Sequence, residues 1–329
     1  MRVLFAGSPG IAVPALKAAA ENCTLAGLLT NPDSPKGRSS RPEPTECAAA
    51  AQQYPCPVLK PEKLDSEART LVADLRPDLL ISFAYGKIFG PKFLALFPLG
   101  GINIHPSLLP KYRGPTPIPA AIINRESVTG ITIQKLATEM DSGDIIVQQT
   151  VPLSGHETTE SLSNLMAIKA AELLPDVLKG IAAGTLAAQP QDHNAATYCS
   201  LISKEDGLID WNKSAAEIEA RIRAFDPWPL CWTMHGDLPL FILKAGVLEG
   251  TNIFLDTNRA AAPGQVLGKD RNCGILIQTG EGILTVGKLQ YQAKKALEWN
   301  DFLNGARHFI DAKLGTCGNV ESCGCPEQR

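Results

Sequence analysis

Apolar and polar positions change period several times along the chain. "RVLFA" (residues 2–6) is an apolar run of strand length, and "IAVPALKAAAE" (11–21) spaces its apolar residues at helical intervals. "CTLAGLLT" reads as a second strand and "ECAAAAQQY" as a helix. "PVLK" reads as a short strand, "SEARTLVADLR" as a helix, and "DLLISFA" and "GINIH" as two more strands. This alternation predicts an α/β domain built on a mostly parallel, doubly wound sheet. "TGITIQKLA" and "IIVQQTVPL", joined through the turn "DSGD", predict an antiparallel pair. "TTESLSNLMAIKAAELLPDVLKGI" predicts a long amphipathic helix. After the second strand comes "NPDSPKGRSSRPEPT", basic and long enough for a loop to suggest a function of its own.

The texture then changes. "AAGTLAAQPQDHNAATYCSLISKEDG" is polar and weakly periodic. Residues 189–205 read as a linker after a first domain of residues 1–188. Beyond it, "SAAEIEARIRA" predicts a helix, and "CWTMHG", "PLFILKAGVL", "GQVLGK", "GILIQTG" and "GILTVGKLQ" are short alternating runs between Gly turns. These predict a small β-barrel over residues 206–314. Residues 315–329 form a Cys-rich tail, expected to be flexible.

Composition adds limits. A chain of 329 residues with 44% hydrophobic and 20% charged positions fits two soluble globular domains. The net charge of −3 carries no global nucleic-acid signal, so a nucleic acid would have to be met by a local basic patch. The apolar run at the N-terminus is too short for a signal peptide and no stretch reads as a membrane span, so a cytoplasmic protein is expected. Six of the nine cysteines are scattered singly, as reduced, packed thiols usually are. Cys317, Cys323 and Cys325 crowd the tail, with spacing that matches no common zinc site, so no metal is expected. Trp211, Trp228 and Trp232 suit base stacking or barrel packing, and packing is the expectation.

The chemistry concentrates at "GGINIHPSLLPKYRGPTPI". Residues i and i+2 of a strand share a face, so Asn103 and His105 point the same way at the carboxyl end of a parallel strand, where such sheets gather function. Asp141 lies in the turn between the two later strands. An amide can donate to an oxyanion, an imidazole can donate or move a proton, and a carboxylate beside it supports both roles. His156, His193, His235 and His308 have no comparable setting. The trio has no good nucleophile, and Ser107 follows His105 too closely to be assumed aligned, which argues for direct transfer between two bound substrates. The other reading is that Asn103 and His105 cap a sheet edge and Asp141 makes a local Asx turn.

"INIHPSLLPKYRG" together with "MDSGDII" resembles the formyltransferases that use 10-formyltetrahydrofolate. "MRVLFAGSPG", "TNPDSPKGRS", "FAYGKI", "SKEDGLIDW" and "RAFDPWPLCW" extend the resemblance, over about residues 1–314, to the branch that acts on methionyl-tRNA. The resemblance implies a Rossmann-like catalytic domain followed by an oligonucleotide-binding-like (OB-like) barrel that binds tRNA. It implies catalytic roles for Asn103, His105 and Asp141. It places the folate co-substrate near Phe83, Ala84, Tyr85, Gly86, Lys87 and Ile88, near Ser107, Leu108, Leu109 and Pro110, and near Met140 and Asp144. It implies initiator methionyl-tRNA as partner, with Lys36, Arg38, Arg41, Lys204, Lys294 and Lys295 as candidate contacts, and a monomeric enzyme. Two departures stand at the rim: Gly10 where an acidic residue is common, and "RGPTPI" for "RGAAPI". Rival readings are a sister formyltransferase for another amine, a related hydrolase, and a tRNA-binding protein without activity. A nicotinamide enzyme is disfavoured because "AGSPG" lacks the G-x-G-x-x-G spacing.

Overall fold

A computed structural model describes residues 1–35, 41–249, 261–306 and 308–315. Contacts divide the chain into two units. The first comprises residues 1–121, 127–154 and 161–201, and the second comprises residues 122–126, 155–160 and 202–329.

The first unit begins with β1 (Arg2–Ala6), α1 (Val13–Asn22) and β2 (Thr24–Leu29). Two dipeptide strands follow, β3 (Ser34–Pro35) and β4 (Pro42–Glu43), which pair antiparallel across the basic loop. Next come α2 (Glu46–Ala51), β5 (Val58–Leu59), α3 (Ser66–Asp74), β6 (Leu79–Ser82), α4 (Pro91–Leu94) and β7 (Gly101–His105). The elements α5 (Pro117–Ile123), β8 (Val128–Lys135), β9 (Ile145–Pro152) and α6 (Thr159–Ala183) complete the run. Local chemistry sets several helix starts. Thr45 and Asp65 accept the Ala48 and Ala68 amides as N-caps, and Gly90-Pro91 opens α4.

The seven-stranded sheet has the order β5-β2-β1-β6-β7-β8-β9. Pairing is parallel from β5 to β7, and β8 and β9 add antiparallel. The chain winds outward from β1 to β5 on one side and from β6 to β7 on the other. The switch point therefore lies between β1 and β6, where a ligand crevice is expected at the carboxyl ends. Val3, Leu4, Phe5, Leu79, Leu80 and Ile81 are fully buried, as central strands covered on both faces require. Tyr85, Phe89, Phe93 and Phe97 continue this core as an aromatic ladder with centroids 5.4–5.8 Å apart.

The second unit contains α7 (Ala215–Ala224), opened by a Ser214–Glu217 capping box, then β10 (Cys231–His235), β11 (Leu238–Val247), β12 (Val266–Asp270), β13 (Gly274–Gln278), β14 (Ile283–Tyr291), β15 (Leu297–Glu298) and α8 (Trp299–Gly305). Its antiparallel sheet runs β10-β11-β14-β13-β12, with β15 also on β14. Trp211 is a packing residue here, its indole N–H donating to Thr233 Oγ1 at 2.9 Å, while Trp228 is half exposed.

The stretch 189–205, which composition reads as a linker, is tied to the first unit along most of its length. Gln189 bridges Ile145, and Tyr198 bridges Arg113. At the other end Leu314 is buried and Gly315 exchanges two backbone hydrogen bonds with Met234, so the second unit reaches Gly315. The tail cysteines lie outside the described residues. Among the described residues no helix is long and apolar enough to cross a membrane.

Candidate active site

β7 is an interior strand, held by β6 on one side and β8 on the other. Asn103 and His105 therefore do not cap a sheet edge. Asn103 lies opposite Gln134 and His105 opposite Thr132. Opposed residues share a face, so these four form one polar patch. Ile102, Ile104, Ile131 and Ile133 alternate with them and bury an apolar layer on the reverse face. On β9, Gln148 lies opposite Thr132 and extends the patch, donating to Thr132 Oγ1 at 2.9 Å and to Leu109 O at 2.7 Å. At Gln134 the register slips, leaving Ile146 as an extra residue on β9. Such a bulge beside a site re-aims nearby side chains.

Asp141 closes this patch. Its backbone is left-handed, with φ 52°. Its side chain reaches three other segments rather than its own turn. Oδ1 accepts from Asn103 Nδ2 at 3.1 Å and from Gln134 Nε2 at 3.1 Å, while Oδ2 accepts from the Gly114 amide at 2.9 Å. His105 Nδ1 stands 3.6 Å from Oδ1. The other ring nitrogen, Nε2, lies 2.8 Å from the Tyr112 carbonyl. A carbonyl can only accept, so Nε2 carries the hydrogen and Nδ1 is the nitrogen free to take or give a proton. Both side chains are nearly closed to solvent, 5% exposed for His105 and 10% for Asp141. Charges and hydrogen bonds act strongly in such surroundings.

Three residues that the sequence reading passed over complete the cluster. Gln191 is buried and its amide donates to Asp141 O at 2.9 Å, Gly143 O at 2.7 Å and Gln134 Oε1 at 3.1 Å. Arg113, only 2% exposed, donates to Gln191 Oε1 from Nε at 3.1 Å and from Nη2 at 2.6 Å. Gln191 lay hidden because it sits in an aperiodic polar stretch. Arg113, beside Lys111 in a basic loop, has the composition of a solvated surface residue. Gln134 was detectable in principle, as a polar residue at an inward position of an otherwise apolar strand.

The proposed folate residues divide into groups. Phe83 to Ile88 leave the end of β6 at the switch point, and the Phe83 amide bonds Ala6 O. Phe83 and Tyr85 are buried, while Ala84, Gly86 and Ile88 are exposed, with φ 51° at Ala84 and 82° at Gly86. The Tyr85 hydroxyl is buried, with no hydrogen-bond partner among the described residues. Lys87 donates to Pro61 O and Glu62 O, and burial lowers its pKa. Ser107 to Pro110 follow His105 directly. Ser107 is buried and its hydroxyl donates to Lys111 O at 2.6 Å, so it is not aligned as a nucleophile. Leu108 and Pro110 are partly buried and Leu109 is buried, its amide donating to Thr132 Oγ1. Met140 is half exposed beside Asp141, and Asp144 pairs with Lys135 at 3.5 Å. Of the tRNA candidates, Lys36 and Arg38 lie outside the described residues. Arg41, Lys204, Lys294 and Lys295 are exposed.

The formyl transferase family profile matches residues 1–178, and the formyl transferase C-terminal domain profile matches residues 201–307. Over 324 residues the chain is 49% identical to the methionyl-tRNA formyltransferase of Treponema denticola, covering 96% of this chain and all of that one. The chain belongs to the methionyl-tRNA formyltransferase family. The family's member in Borreliella burgdorferi is 39% identical over 310 residues, covering 94% of this chain and 97% of its own. Among solved structures, the sugar 3N-formyltransferase WlaRD superposes with a TM-score of 0.64 at 19% identity, covering 90% of this chain and 99% of that one. HypX from Aquifex aeolicus superposes with a TM-score of 0.58 at 17% identity over 94% of this chain, which spans about half of that protein. These two likenesses establish the fold. The fold expected from the sequence, a Rossmann-like mostly parallel sheet followed by a small OB-like barrel, is met by the seven-stranded sheet and the antiparallel, strand-rich second domain.

Proposed function

We propose that this chain transfers the formyl group of 10-formyltetrahydrofolate to the α-amino group of methionyl-tRNA, giving N-formylmethionyl-tRNA for translation initiation. The observation that carries this reading is the convergence of Asn103, His105 and Asp141 at the end of β7 in a member of the family. The folate supplies an activated formyl group on N10.

The exposed backbone at Ala84 and Gly86 is open to a ligand at the switch point. The buried Tyr85 hydroxyl supplies a donor whose lack of a partner is costly unless a ligand or water answers it. Ser107 to Pro110 and Met140 adjoin the reacting groups. These features support a folate site there. Lys87 and Asp144 take part through loop geometry, since their charges are already engaged by protein groups.

The reaction forms one bond from the amine nitrogen to the formyl carbon and breaks the bond from that carbon to N10. The amine gives up a proton and N10 gains one. An α-amino group has a reference pKa of roughly 7.7–8.0, so a useful share is neutral near pH 7. Asn103 spends one amide hydrogen on Asp141 and has a second to donate to the developing oxyanion. His105 moves a proton through Nδ1, beside the Asp141 carboxylate, which orients it and takes up positive charge. The rest of the rate comes from positioning two substrates together.

Lys204, Lys294 and Lys295 on the second unit, with Lys36, Arg38 and Arg41 in the first, supply local positive charge for tRNA. Binding through them weakens as salt rises, because neutralised phosphates release counterions. The test offers 10-formyltetrahydrofolate with three acceptors: methionyl-tRNA, an amino-sugar nucleotide and glycinamide ribonucleotide. Formylation of methionyl-tRNA alone supports the reading. Preferential formylation of either small amine would replace it with the sister activity.

A further inference from the structure

The groups behind Asp141 are ordered in one direction. A carboxamide has two ends of nearly equal shape, and in a buried site its orientation is decided by its neighbours. The Arg113 guanidinium offers only donors and does not lose its charge in a protein. Gln191 must therefore turn Oε1 toward it, and both Arg113 bonds land on that oxygen. Gln191 Nε2 is then committed to the opposite side, where it meets three carbonyl oxygens: Asp141 O, Gly143 O and Gln134 Oε1. With its oxygen engaged, Gln134 turns Nε2 onto the Asp141 carboxylate. Reversing either amide would set oxygen against oxygen in a buried place. Arg113 also reaches the Tyr198 hydroxyl at 3.3 Å and His193 Nδ1 at 3.2 Å, the latter accepting in the tautomer that carries its hydrogen on Nε2.

We propose that Arg113 and Gln191 are positioning residues for formyl transfer: Arg113 orients the Gln191 amide, and that amide holds the turn carrying Asp141 and, through Gln134, its carboxylate. Gln191 grips the turn at two carbonyls, Asp141 O and Gly143 O, on either side of Ser142. Asp141 has a left-handed backbone, a conformation aspartate tolerates, and the Gln191 bonds at Asp141 O and Gly143 O hold the turn in it. The inference rests on the reading of Asp141 as part of the reacting site, and it assigns the stretch 189–200 a part in catalysis.

Gln191→Glu is the sharpest variant. It keeps the shape and strengthens the contact to Arg113, yet it has no hydrogen to donate toward the turn. It should fold, lower kcat for methionyl-tRNA formylation by about 100-fold, and leave the KM for folate within about threefold, as for a displaced reacting group. Arg113→Lys keeps a donor-only cation and should retain kcat within about tenfold, whereas Arg113→Met, which frees Gln191 to turn over, should lose about 100-fold. A folded Gln191→Glu enzyme with near-normal kcat would overturn the proposal. So would equal losses of turnover and folate affinity, which mark general collapse of the site. Hydrogen exchange of the wild-type protein labelled with ¹⁵N-glutamine decides the matter without any variant. The side-chain amides of Gln191 and Gln134 should be strongly protected, and rapid exchange of all glutamine side chains would overturn the relay. Failure of the proposed function looks different, because wild-type protein would then place no formyl group on methionyl-tRNA.

Discussion

Replacing Gly143 by alanine tests whether the position of the "DSGD" turn governs the reaction. A Cβ at Gly143 would overlap the Lys135 carbonyl, 2.9 Å from its carbon and closer to its oxygen. Carbon atoms in contact normally sit about 3.5–4.0 Å apart, so the turn must retreat by roughly 1 Å. Lys135 cannot yield easily, because it ends β8 next to Gln134 and its amide is bonded to Asp144 O. The retreat strains the 2.7 Å bond from Gln191 to Gly143 O and moves Asp141 two residues away. Overpacking of this kind costs about 1–3 kcal/mol. For a domain of this size that corresponds to a fall in Tm of roughly 2–12 °C. A reacting group misplaced by about 1 Å loses on the order of 100-fold in rate. Steady-state formylation of methionyl-tRNA, with thermal unfolding of the same samples, measures both effects. If Gly143→Ala kept kcat within about threefold of wild type while its Tm fell, the turn would be shown to bear on stability alone.

Asn103→Ala and His105→Ala should each lower kcat by about 10²–10⁴-fold with little change in folate affinity, since their contacts strengthen in the transition state; isothermal titration with folate beside initial rates checks the split. Cys47 and Cys231 have thiol pKa values pushed up to about 12 by burial, so about one in ten thousand is thiolate at pH 8. Both should remain unmodified by iodoacetamide in the folded protein, as peptide mapping would show. Phe309→Ala should cost about 3–5 kcal/mol, because the ring is fully buried edge-on to His235 and Phe302; urea unfolding followed by tryptophan fluorescence gives the value. Burial lowers the pKa of His235, so the folded state favours its neutral ring. Its contribution is complete above roughly pH 6.5 and is lost as pH falls through the lower folded-state value. His235→Gln should flatten the acid side of the stability curve.

The parts of this architecture that were plain in the sequence are those with a strong period. β1, β2, β6, β7 and the long α6 follow from apolar runs and helical spacing, because burial on both faces or along one stripe leaves little freedom. The aromatic ladder from Tyr85 to Phe97 escaped notice although its spacing of four is regular. Gly86, Gly90 and Pro91 interrupt it, and α4 is only one turn long. The same holds for α8, whose start at Trp299 carries no side-chain cap bond. Asn103 and His105 were visible from their strand spacing, and Asp141 from its turn between two strands. Their support was not. Gln191 meets Asp141, and Arg113 meets Gln191, only because residues 189–200 fold back along β9 and the loop after β7, a long-range contact that no local pattern encodes. A buried arginine and glutamine look like surface residues until their partners are seen.

Transfer of a labelled formyl group from 10-formyltetrahydrofolate onto methionyl-tRNA, followed in a single turnover for wild-type protein and for Asp141→Asn, bears most directly on the assignment. Wild-type protein should place one formyl group on the α-amino nitrogen of each charged tRNA. The asparagine variant, which keeps the shape of the side chain but loses its charge, should be slower by at least about 100-fold. No label on the tRNA with wild-type protein, or equal rates for the two, would contradict the assignment of formyl transfer to the cluster of Asn103, His105 and Asp141.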